Sequence, residues 1–231
     1  MNITDWNYYY NLEGQEQVRA NLVYTPRVSP DGKTFCMSFN RDPSYHTDHA
    51  ENTCWTDDLL QDRFEREVAF QELAEGKCPT LHLLDIDLDQ RQIFLEWLGD
   101  DFYMQGLKAG GYDNVIPDWK EQWKLRIQEM WKLGIRKMSL HPNSWVARHG
   151  VLVPFNWFFS YSDQEFITIR DILIQVSEHR QETLMSVLEN YDLDLDTNYS
   201  VDMLQVITFN SFRSNYPEDL INDIIRLHAS K

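Results

Sequence analysis

Apolar residues return every three or four positions along Asp118 to Leu133, where Trp119, Trp123, Ile127 and Met130 or Trp131 form one stripe. That period predicts an amphipathic helix, with Gly134 as its C-terminal stop. A second helix is predicted from Thr56. Its hydroxyl can cap the first turn, Asp57 and Asp58 sit at the positive end, and Leu60, Phe64 and Val68 follow at fourfold spacing before Gly76 and Pro79. Arg63, Glu65, Arg66 and Glu67 on this helix are expected to form a charged solvent face.

A period of two marks other stretches. Val18–Tyr24 and Thr34–Phe39 predict a hairpin around the linking residues Pro26 to Lys33, whose Ser-Pro-Asp-Gly has turn chemistry with Gly32 free to take positive φ. In Thr80–Leu88, Leu84, Ile86 and Leu88 alternate with Asp85, Asp87 and Asp89, predicting a strand with the carboxylates on its solvent face. Ile93–Trp97 predicts a more buried strand. Beyond the centre the period is helical again through Phe166, Ile169, Ile172, Leu173 and Val176, then Leu184, Val187 and Leu188. Ser200 is placed to cap a helix through Phe209, and Pro217 to open the last one. The order predicts an α+β chain, sheet-rich at first and mainly helical later, dividing near residues 98 to 101.

Composition narrows the function classes. The net charge of -16, from 21 basic and 37 acidic groups, argues against nucleic acid and anionic membrane as partners, since both need basic surfaces. No apolar run is long enough for a membrane span, and the first residues lack a basic, then apolar, leader pattern, so a cytoplasmic protein is expected. Cys36, Cys54 and Cys78 make a poor disulfide framework. The polar segment 41–55 holds His46, Asp48, His49, Glu51 and Cys54, but their spacing fits no zinc pattern, and a solvated loop without metal is expected.

The chemistry-bearing stretch runs from Gly134 to Phe159. A helix leads into Lys137-Met-Ser-Leu-His-Pro-Asn-Ser-Trp145; a strand, the His149-Gly150 turn and a second strand follow; Phe155-Asn-Trp157 closes it. Leu140-His141-Pro142 alone is a short match that chance could supply to an unrelated α+β domain. Together with its flanks the stretch resembles the kinase-like fold of aminoglycoside phosphotransferases and lipopolysaccharide kinases, which carry His-Gly-Asp-Leu-His-Pro-x-Asn-Val and then Ile-Asp-Trp or Asp-Phe-Gly.

The resemblance implies a two-lobed protein-kinase-like fold: an antiparallel-sheet N-lobe with one long helix over residues 1–99, and a mainly helical C-lobe over 100–231. It puts Ser139 where a catalytic aspartate would stand, Ser144 at the metal-binding asparagine (or Asn143, one position away), and Asn156 at the metal-binding aspartate. His141 would support the loop, and Trp145 and Trp157 would pack it, their N–H tips finding acceptors. Gln15 to Arg19 would lie near the phosphate loop, where Gly14 is the only glycine; strand 34–39 lacks the phosphate-binding lysine, so Glu67, which matches that lysine's partner, is left with no evident partner; and Glu96, Trp97, Leu98 and Gly99 form a hinge-like segment for adenine.

With neutral residues at all three principal positions, the resemblance implies a degenerate, pseudokinase-like member. It would have no cofactor or metal, weak or no nucleotide binding, and a function exerted by binding a partner protein. The alternatives are an active nucleotide-dependent transferase using Asp85, Asp87 or Glu67, and an acidic decoy for a basic partner surface. A compact, acidic, aromatic-rich chain would also suit a phage-encoded protein.

Overall fold

A computed structural model describes residues 3–9, 23–42, 46, 55–97, 99–173 and 178–230, with backbone alone at 178–180. It resolves into two compact units, Met1–Gly99 and Asp100–Lys231.

The first unit is built on a five-stranded antiparallel sheet. Its strands are β1 (Asn7–Tyr8), β2 (Thr25–Val28), β3 (Thr34–Ser38), β4 (Leu83–Asp87) and β5 (Gln92–Glu96), in the order β1-β2-β3-β5-β4. A hairpin forms on the predicted second strand, but its first strand is β2, which shares no residue with the predicted Val18–Tyr24; residues 18–22 lie outside the described residues. Pro26 pairs with Met37 inside β2, and the link shortens to residues 29–33. Ser29 organises that turn: its Oγ accepts the Thr34 N–H at 3.0 Å and donates to Asp31 at 2.6 Å, while Gly32 takes φ +69°. The Ser29 bond, followed by the Lys33 N–H, holds the Asp31 carboxyl below its ordinary range.

Helix α1 (Asp57–Ala74) starts as predicted, with Thr56 Oγ1 accepting the Leu59 N–H at 3.3 Å. Its buried face keeps the predicted Leu60 and Phe64 but is wider than the predicted stripe. Leu60, Arg63, Phe64, Glu67, Phe70, Gln71 and Ala74 turn inward, so Arg63 and Glu67 are core residues while Val68 is only half-buried. Gln71 shows why polar groups are tolerated there, donating to Leu81 O at 2.5 Å and accepting from Thr80 Oγ1 at 3.1 Å.

The period-two pattern of β4 also breaks. An irregularity between Leu83 and Asp85 shifts the register against β5, leaving Leu84 exposed; Leu88 lies past the strand's end and is 71% exposed. His46 is buried, its Nδ1 within 3.0 Å of Asp42 O, which corrects the solvated-loop expectation at this residue. Asp48, His49, Glu51 and Cys54, like Gly14 to Arg19, lie outside the described residues.

The second unit carries helices α2 (Phe102–Ala109), α3 (Trp119–Lys132), α4 (Ile169–Leu173), α5 (Glu178–Leu188), α6 (Val201–Ser211) and α7 (Glu218–Ala229). Three two-stranded antiparallel ribbons sit among them: β6 (Ile135–Lys137) with β9 (Ser160–Ser162), β7 (Trp145–Arg148) with β8 (Val151–Pro154), and β10 (Phe166–Thr168) with β11 (Asn198–Ser200). Helix α2 was not predicted; Asp101 caps it, accepting the Met104 N–H at 2.9 Å. The helical expectation at Phe166 fails because Phe166 belongs to β10, pairs with Ser200 and is 66% exposed. Ser200 caps α6, and Pro217 sits one residue ahead of α7. Among the described residues no helix is long and apolar enough to cross a membrane.

Candidate functional site

Gly134, at φ +75°, ends α3 and turns the chain into β6. A Cβ there would lie 3.3 Å from Asp163 Oδ1, so glycine serves both the backbone angle and the space. β6 delivers Lys137, after which Met138, Ser139, Leu140 and His141 lead into a 3-10 turn at Pro142–Ser144. β7 and β8 follow, turning through His149 and Gly150 at φ +48° and +78°. Phe155-Asn156-Trp157 then returns the chain toward β9, and the Phe155 N–H donates to Ser144 O at 3.1 Å. Ser139, His141, Asn143, Ser144 and Asn156 thus all belong to one folded segment.

Inside it, Ser139 Oγ and Ser144 Oγ are 2.6 Å apart. Each hydroxyl is partner to the other, with Asn143 Oδ1 at 3.4 Å from Ser144 Oγ. A serine hydroxyl has no useful proton affinity near neutral pH, so this pair supplies no general base of the kind an aspartate provides. His141 Nδ1 accepts the Asn143 N–H at 3.2 Å, which in the neutral ring puts the proton on Nε2. The ring lies 5.3 Å from that of Tyr103. His141 is therefore a turn-building residue.

Asn156 takes φ +61°, ψ +65°, a left-handed conformation that asparagine tolerates better than most residues. The group that holds it there was missed in the sequence. Lys137 is fully buried, and its Nζ donates to Phe155 O at 2.7 Å and Asn156 O at 2.5 Å while lying 5.2 Å from the Trp157 ring centre. One ammonium thus binds the carbonyls on either side of the left-handed step. Nothing in the sequence sets Lys137 apart, since Arg136 stands beside it and Ser139 follows two residues on.

The loop is held from its other side too. Gln205 of α6 donates to Lys137 O at 3.1 Å and accepts the Trp131 Nε1 proton at 2.8 Å. Tyr216 donates its hydroxyl proton to Leu140 O, and Thr208 Oγ1 lies 3.6 Å from Met138 Sδ. Trp145 and Trp157 are fully buried as packing residues. Trp145 departs from expectation, because its indole N–H finds no acceptor among the described residues. Its 6.2 Å ring contact with Trp123 is one of apolar packing.

The Mg²⁺ that the resemblance implies does not fit this donor set. Ser144 and Asn156 offer neutral oxygens, Ser144 Oγ is already bonded, and a hard dication wants anionic ones. Among the described residues no three His, Cys, Asp or Glu side chains gather as a metal site.

The remaining candidates lie in the first unit. The Glu96 N–H donates to His82 O at 2.9 Å and the Trp97 N–H to Lys33 O at 2.7 Å, so both amides serve the sheet. Trp97 also stacks on Phe35 with ring centres 4.6 Å apart. Gly99 has φ +109°, and Leu98 lies outside the described residues. Glu67 is fully buried and engaged, which corrects the expectation that it lacks a partner. Asp85 is exposed and accepts the Ile86 N–H; Asp87 accepts the Gln90 N–H at 2.9 Å.

No family model and no curated protein matches the chain. Among solved structures it is similar to that of WbdD described as a bifunctional kinase-methyltransferase, with a TM-score of 0.50 and 10% identity over 98% of this chain and 51% of that one. A co-crystal structure of WbdD with a kinase inhibitor scores 0.47 at 10% identity, covering 87% of this chain and 48% of that one. The chain spans about half the length of the solved chains it matches. The first likeness shows a kinase-like, mixed α+β fold.

Proposed function

We propose that this chain is a pseudokinase, a kinase-like scaffold that transfers no phosphate and acts by binding a partner protein. The observation that carries the reading is the pairing of Ser139 with Ser144 at 2.6 Å, where the resemblance expects a base and a metal ligand. Phosphoryl transfer rests on positioning and on Mg²⁺ neutralising charge between the β- and γ-phosphates. The Gly134–Phe159 loop keeps a folded frame but offers only neutral oxygens at the three positions that matter. Lys137 supports the same reading, since its charge is committed to backbone carbonyls.

Thermal unfolding with and without Mg-ATP tests this. A ligand at a hundred times its Kd stabilises by about 2.7 kcal/mol, which for a chain of this size is roughly 5–10 °C in Tm. The expected shift is none. A magnesium-dependent rise of that order, with labelled phosphate appearing on any protein, would sink the proposal.

A further inference from the structure

A concave site lies where the turn after α5 meets α6 and α7, an open cleft of about 550 Å³. That volume falls in the range of small-ligand sites. Two guanidinium groups line it, Arg213 and Arg226, in a chain whose net charge is -16. Helical spacing explains their company: Val206, Asn210 and Arg213 follow one another around the end of α6, and Asn222, Ile225 and Arg226 along α7.

Arg213 is held by neutral acceptors. Its Nε and Nη2 donate to Asn210 Oδ1 at 3.0 and 2.9 Å, and Nη2 donates also to Asn222 Oδ1 at 2.9 Å. Amides from two elements thereby fix the plane of the guanidinium without cancelling its charge. Its carboxylate contact among the described residues is Glu218, whose Oε1 is 3.6 Å from Nη1 and whose side chain is 80% exposed. Arg226 pairs with Asp223. Asp223 also has Lys124 Nζ at 3.5 Å, so a ligand that draws Arg226 away leaves this carboxylate a cation. Beside the two arginines, Val206 and Ile225 are half-buried and the Tyr191 ring is 43% exposed, giving an apolar flank.

We infer that this cleft binds a phosphate monoester carried on an aromatic or aliphatic body. Arg213 and Arg226 take the phosphate oxygens, and Tyr191, Val206 and Ile225 take the body. Two planar, multi-donor cations suit a dianion with three terminal oxygens better than a single carboxylate. At about 0.15 M salt, carboxylates more than roughly 8 Å away are screened, so Glu218 and Asp223, in contact with the two arginines, are the carboxylates a ligand has to displace.

Phenyl phosphate titrated into the full chain, followed by amide NMR shifts, tests the inference, with inorganic phosphate and benzyl alcohol as controls. The expected result is saturable binding about tenfold tighter than either control, with shifts centred on α6 and α7. Arg213→Gln and Arg226→Gln should each weaken it about tenfold with circular dichroism unchanged; if the first variant misfolds, the second, on a side chain 76% exposed, decides. A short phosphotyrosine peptide separates the sources: tighter binding than phenyl phosphate supports an ester on a protein partner, and equal binding supports a free small molecule. Three results overturn the inference: both variants binding like the parent, either control binding as well as phenyl phosphate, or no saturation by about 10 mM.

Discussion

Replacing Lys137 by methionine keeps the stem and removes the ammonium. Phe155 O and Asn156 O, now bonded at 2.7 and 2.5 Å, would lose that donor in a site whose lysine is fully buried. Hydrogen bonds to a charged group contribute about 1.5–3 kcal/mol each, so the two together set a ceiling of about 6 kcal/mol. Relief of the buried charge's desolvation opposes this by several kcal/mol. A net loss of about 3 kcal/mol is expected, a large fraction of the roughly 5–15 kcal/mol that holds a domain folded. In Tm that is about 6–12 °C. Urea unfolding followed by tryptophan fluorescence is a suitable assay, because Trp123, Trp145 and Trp157 are buried in the same unit. Asn156→Gly should cost far less, since glycine takes the left-handed angle freely and keeps the carbonyl. A Lys137→Met chain with an unchanged urea midpoint would refute the assignment of the ammonium as the clamp on this loop.

Gly106→Ala should lower stability although alanine is the better helix former by about 1 kcal/mol. The new Cβ would lie 2.4 Å from two atoms of the Tyr112 ring, which is stacked on Phe102 at 4.7 Å and cannot swing away cheaply, giving a cost of about 1–3 kcal/mol; a raised Tm would contradict that packing. Burial first, and the Arg41 charge second, hold the His46 imidazole down at about 4 against an ordinary 6.5. The unfolded chain therefore binds the proton first, and stability falls as pH drops from 6.5 toward 4 by at most about 3 kcal/mol. His46→Gln should flatten that part of the stability curve relative to the parent, and parallel curves would remove His46 as the cause.

Local chemistry was legible in the sequence wherever one residue decides the outcome. Thr56 caps α1, Gly134 ends α3 and His149-Gly150 turns the β7–β8 ribbon because the hydroxyl or the tolerated φ acts within a few residues. Periodicity failed where tertiary contacts override it. Arg63 and Glu67 point inward because α1 is covered over a wider arc than its apolar stripe, and Leu84 points outward because the irregularity after Leu83 resets the alternation. Phe166 joins β10 through a partner strand more than thirty residues away, which no local pattern reveals. At the site, the neutral residues could be named from the resemblance of the Gly134–Phe159 stretch to the kinase-like motif. The hydroxyl pair and the lysine that fixes Asn156 could not, since both depend on where separate turns bring their atoms.

The ties on the loop also set an order of events during synthesis. Gln205 bonds the carbonyl of a residue 68 positions earlier, and Tyr216 bonds one 76 positions earlier. At about 5–20 residues per second, a ribosome needs roughly 4–15 s after Leu140 to make Tyr216. Until Gln205 is made the nascent Lys137–Leu140 segment has neither tie, and until Tyr216 is made it lacks the second. The finished loop is thus a late product of translation, completed only when α6 and the Tyr216 that follows it have been made.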